Sequence, residues 1–139
     1  MRDRSDNGVV GAALWAAALS GLPSTAWALA RGRDPLEAAL AAGAIVVGAD
    51  ASKARRLAAA VPVHLAISCA WTVVLDRTLP QRHRVLTGAA AGLAIAALDL
   101  GVIGRRIPAI AALPLGPQVA DHIAFGAIAA PCARRRRAG

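Results

Sequence analysis

The chain has 139 residues, 57% of them apolar but with no Tyr, one Phe and three Trp. That is enough for one domain, yet it lacks the large side chains from which a water-soluble core of this size is built. The net charge of +8 is segregated, because all 16 basic residues lie outside four long apolar runs, as in loops bordering an anionic bilayer. No aromatic interleaving or recognition fold accompanies the basic clusters, so nucleic acid is excluded as a partner.

The first run, residues 8–30, holds 23 residues without a charge. A spanning helix needs about 20 mainly apolar residues, so helix 1 is placed at 8–30. Its start resembles a signal peptide: Arg2 and Arg4, an apolar stretch, Pro23, then Ala26 and Ala28 as an A-x-A site. Asp3 and Asp6 cancel the positive start, which favours a retained helix. Pro23 cannot donate to Leu19 and predicts a kink. Ala13, Ala17, Gly21 and Thr25 share one face, with Gly21 a packing position. Next, "RDPLEAALAAGAIVVGA" has Asp34 as an N-cap and Pro35 in the first turn. Its apolar part, 36–49, is short for a span and suits an interfacial or re-entrant helix, a fifth span being the alternative.

Helix 2 is expected at 57–76, with Pro62 near its beginning and His64, Ser68 and Thr72 as one polar stripe. Helix 3 is expected at 84–104. Gly88 and Gly92 make a GxxxG pair, and Asp99 follows at helical spacing on the same face, so Asp99 points at a helix rather than at lipid. Helix 4, at 115–132, begins at the Pro114–Pro117 break and aligns Gln118, His122 and Gly126, with Gly126 a packing position. Asp121 is about 100° around and near that helix's first turn, where the dipole favours an acid. The fold class is therefore all-α: a polytopic membrane bundle of four transmembrane helices plus the short helix near 36–49, one integral membrane domain.

Counting depth from the helix ends places Thr25, His64, Asp99, Asp121 and His122 in one polar layer, roughly 10 Å inside one face. Intramembrane ionisable groups persist where paired, solvated by a cavity, or functional. The layer is read first as structural pairing that fixes helix register and second as a proton or ion path. A metal site is disfavoured: Asp121 and His122 diverge and no HxxxH or ExxH spacing exists. No Gly-x-Ser-x-Gly, phosphate loop or dinucleotide fingerprint is present, so no catalytic set, cofactor or metal is expected. Cys69 and Cys132 form no CxxC or zinc pattern. The C-terminal Arg134, Arg135, Arg136 and Arg137 suit anionic lipid headgroups and a cytoplasmic C-terminus. With four spans the basic residues divide nine inside to seven outside.

The segments "SGLPSTAWALARGRDPLEAALAAG" and "AAGLAIAALDLGVIGRRIPAIAALPLGPQVADHIAFG" resemble small multi-pass membrane proteins of high-GC actinobacteria, uncharacterised proteins whose Ala/Arg-rich, Lys-poor composition is similar. The last helix is also similar to that of other small four-helix inner-membrane proteins in which an acid precedes an aromatic-Gly pair. The resemblance implies a bacterial cell (inner) membrane location and no activity. Together these readings give a structural or accessory bundle, alone as a homo-oligomer or within a larger membrane complex. A small proton- or ion-coupled transporter is the alternative.

Overall fold

The computed structural model describes residues 4–135, and side chains over 9–133. Every regular element among them is helical: α1 Arg4–Ser20, α2 Leu22–Ala30, α3 Glu37–Val47, α4 Lys53–Thr78, α5 Arg84–Leu98, α6 Pro108–Ala111 and α7 Leu115–Arg135. α5 does not stop cleanly. It widens into a π turn over Asp99–Ile103 and tightens into a 3₁₀ turn over Gly104–Arg106.

The boundaries follow from local chemistry. Gly21 separates α1 from α2, and Pro23 sits in the first turn of α2, where its missing N–H is no loss. The expected kink is thus a break at Gly21. α2 ends where Gly32 turns left-handed (φ 64°) and Arg33 N–H reaches back to the Ala28 carbonyl at 2.8 Å, closing the helix end. Asp34 does not cap α3 directly; its carboxylate accepts from Leu36 N–H at 2.9 Å and turns the chain just before Glu37. Ser52 caps α4, accepting from Arg55 N–H at 3.3 Å. Because α4 starts at Lys53, four residues before the expected 57, Pro62 lies in the helix interior rather than its first turns. Leu79 is extended ahead of Pro80, which ends α4.

Three helices are long and apolar enough to cross a membrane: Val9–Ala30, Lys53–Thr78 and Arg84–Arg106, of 22, 26 and 23 residues. The 11 residues of α3 cover about 16 Å at 1.5 Å per residue, half of a hydrocarbon core of about 30 Å. α3 instead folds against α4 as a helical hairpin, so closely that a Cβ at Gly43 would meet the Arg56 carbonyl. α7 has the length of a span at 21 residues, but Gln118, Asp121 and His122 keep it out of the apolar class of the other three.

Packing gives the reason. α7 is the central helix, laid against α5 and α1 most extensively and against α2 and α4 as well. From Pro117 to Ala133 none of its residues is exposed. The interior around it is built from small side chains: Ala12, Ala13, Ala16, Ala28, Ala60, Ala96, Ala129, Ala130 and Ala133 are buried, with Leu75, Ile95 and Phe125 the large apolar groups at the centre. Large apolar side chains face outward, among them Trp15 at 58%, Leu22 at 58%, Val61 at 59% and Leu86 at 71% exposure. Small inside and large apolar outside inverts the arrangement of a soluble bundle and suits a lipid solvent.

Candidate functional site

The α5–α7 crossing brings two helix backbones into direct contact at three glycines. A Cβ at Gly88 would meet the Gly126 carbonyl and lie 2.8 Å from Ala130 Cβ; one at Gly92 would meet the His122 carbonyl; one at Gly126 would meet the Gly88 carbonyl and lie 2.9 Å from Gly92 N. The backbones touch because no side chain intervenes. Gly21, by contrast, has open space around it and serves the α1–α2 break instead of a helix contact.

This crossing carries Asp99 and His122 to each other. His122 Nδ1 is 2.8 Å from the Gln118 carbonyl. A carbonyl only accepts, so Nδ1 carries a proton and donates it. Nε2 then faces Asp99 Oδ2 at 3.6 Å. At 3.6 Å the two side chains make a polar contact across the crossing that is longer than a hydrogen bond. Both side chains are about one-quarter exposed. The π turn begins at Asp99 itself, and such widened turns recur where a helix side chain has a special task.

Asp121 has a different role from the one its position in α7 implies. Its Oδ1 accepts from the Ser24 backbone N–H at 2.9 Å. Ser24 lies in the first turn of α2, where backbone donors lack helical partners. Asp121 therefore caps the N-terminus of α2 from across the bundle, and the dipole that favours its charge is that of α2 and not of its own helix. Thr25, next in sequence, is half-buried, and its backbone N–H stays within the chain, donating to Gly21.

His64 Nε2 donates to the Ala17 carbonyl of α1 at 3.1 Å and lies within electrostatic reach of Asp121. Of the stripe on α4, Ser68 and Thr72 are buried, and Thr72 Oγ1 returns its proton to the Ser68 carbonyl at 2.7 Å, while the His64 residue as a whole is exposed. Of the expected layer, Asp99 and His122 meet each other and His64 lies within reach of Asp121, while Asp121 bonds Ser24 and the Thr25 backbone bonds Gly21. Among the described residues no group of three His, Cys, Asp or Glu is placed to hold a metal ion.

A second polar locus lies at the other end of α5, about 22 Å away along its 15-residue length. Arg84 and Asp76 form an ion pair at 3.4 Å with both side chains only 3% exposed, and Arg84 Nε donates to the Ala130 carbonyl of α7 at 2.8 Å. Sequence reasoning placed Arg84 among the loop cations. The available signal was the short connection 79–83, which brings Asp76, the last acid of α4, next to the first residue of α5. Toward the exposed side, the Arg31 and Arg33 guanidiniums each lie over the Trp27 ring, 5.6 and 5.5 Å from its centroid, and Lys53 bonds Asp34 at 2.7 Å. That bond, with the Leu36 N–H, holds the Asp34 carboxyl below its ordinary range. Arg136 and Arg137, and the side chains of Arg134 and Arg135, lie outside the described residues.

The fold and site define a class: an all-helical bundle with three helices able to cross a membrane, pinned by polar contacts between helices. No protein-family model, curated protein or solved structure matches this chain.

Proposed function

We propose that the chain is a small integral protein of the bacterial cell membrane, a four-span bundle with α7 as the fourth span and its C-terminus in the cytoplasm. It acts as a structural or accessory subunit, as a homo-oligomer or within a larger membrane complex, and not as an enzyme. One observation carries the reading: ionisable groups within the helices end on another helix. His64 joins α4 to α1, Asp121 joins α7 to α2, Asp99 and His122 join α5 to α7, and Arg84 joins α5 to both α4 and α7. Such contacts set helix register, which is the task of polar groups between helices in lipid. The arginines at 134–137 contact anionic headgroups.

The second reading, proton- or ion-coupled transport, is favoured by the Asp99–His122 contact, which sets an acid and an imidazole facing each other between helices. Proteoliposomes under a pH gradient separate the two. An accessory bundle leaves vesicles equally tight with wild type and Asp99→Asn. Proton flux that requires Asp99 replaces the accessory reading with transport.

A further inference from the structure

Beside the α5–α7 crossing, where α5 widens and Pro108 redirects the chain into α6, a cleft of about 420 Å³ opens on the outside of the bundle. This lies within the range of about 300–1,000 Å³ seen for small-ligand sites. Its walls are apolar: Leu93 and Ala97 from α5, Ile110 and Leu113 from the α6 region, and Leu115 and Val119 from α7. Two lining residues are polar, Gln118 and Arg105, and Arg105 is the one charged group; no acid lines it among the described residues. Gly101 lines this space, and a Cβ there would meet nothing within 4 Å.

We propose that this cleft is a binding site for an anionic phospholipid. One acyl chain lies along Leu93, Ala97, Ile110 and Leu113, and the headgroup phosphate pairs with Arg105 at the end of α5. The chemistry selects this occupant. An apolar slot takes a hydrocarbon chain, and a lone guanidinium at its rim takes a singly charged phosphate, which it matches in geometry. The site is formed by α5, the α6 region and the start of α7, and it rests on the reading that the bundle lies in a bilayer.

The test uses the full chain in detergent, with native mass spectrometry counting retained phosphatidylglycerol against phosphatidylcholine of identical chains. Wild type retains phosphatidylglycerol preferentially. Arg105→Gln lowers that preference about fivefold, the equivalent of about 1 kcal/mol for one basic residue at an anionic surface. Gly101→Leu fills the cleft without a backbone collision and reduces retention of both lipids. Arg82→Gln, at the opposite end of α5, leaves the preference unchanged. Equal retention of the two lipids by wild type, or an Arg82→Gln loss as large as that of Arg105→Gln, overturns the site. Carbonate extraction distinguishes the underlying reading: protein released from membranes sinks the bilayer placement, whereas protein retained without lipid preference sinks only the cleft.

Discussion

Replacing Gly126 by Ala tests the helix crossing most directly. Its new methyl group would meet the Gly88 carbonyl and sit 2.9 Å from Gly92 N, both backbone atoms of a rigid helix. Restoring a contact of about 3.5 Å to the Gly88 carbonyl requires α5 and α7 to part by roughly 1.5 Å. Overpacking of this kind costs about 1–3 kcal/mol, and the better helix propensity of Ala returns at most about 1 kcal/mol. The expected net loss is therefore about 1–2 kcal/mol. Parting the helices also stretches the Asp99–His122 pair, already at 3.6 Å. Gly21→Ala is the internal control. It meets nothing within 4 Å and should be neutral or stabilising by up to about 1 kcal/mol. Unfolding by increasing SDS fraction in mixed micelles, followed by far-ultraviolet circular dichroism, measures both. Gly126→Ala as stable as wild type, or Gly21→Ala as damaging as Gly126→Ala, refutes the crossing geometry.

Three other perturbations probe the rest of the bundle. Arg84→Met should destabilise by about 3–5 kcal/mol because it removes the cation paired with a buried acid, and adding Asp76→Leu should recover most of the loss; a single variant within about 0.5 kcal/mol of wild type in the same titration removes Arg84 from the core. Asp34, its carboxyl depressed chiefly by the Lys53 hydrogen bond, contributes stability that is present above the unfolded carboxylate value near about pH 4 and lost as pH falls through its lower folded value. Because the pair is exposed, salt should screen the effect, and Asp34→Asn should flatten the acid limb of a melting-temperature profile measured at low ionic strength. As isolated segments in a membrane-insertion assay, residues 53–78 and 84–106 should insert more efficiently than 115–135, and equal insertion would contradict the central placement of α7.

Much of this architecture is written in local patterns. The spacing of Gly88, Gly92 and Asp99 depends only on helical periodicity up to Leu98, and the π turn begins at Asp99, too late to disturb that face. The short helix after Pro35 follows from the length of an apolar run between charges. What the chain order conceals is partnership. Asp121 has an acid's preference for a helix N-terminus, but nothing local indicates that the terminus is that of α2, 97 residues earlier. Arg84 reads as a loop cation because burial of a guanidinium depends on a carboxylate and a carbonyl supplied by two other helices. The widening of α5 at Asp99 has no Pro to announce it, but Gly101 lies inside the turn and Gly104 just beyond allows the chain to pass Ile110, which a Cβ there would meet at 2.7 Å.

The position of α7 ties these features together. A helix packed against four others has no need to be uniformly apolar, so the helix that carries Gln118, Asp121 and His122 along its length is the one that sits at the centre. The three helices able to cross a membrane by composition surround it and present Trp15, Val61 and Leu86 outward. Without a hydrophobic force between helices in lipid, cohesion must come from close packing and polar contacts. α7 supplies both: Gly126 and the alanines at 129, 130 and 133 for approach, Asp121 and His122 for attachment. The same economy explains why the core contains so few large side chains. Alanine and glycine admit the backbones of α1 and α5 to the surface of α7, and each larger group placed there would push away the helix that holds the opposite partner of a polar contact.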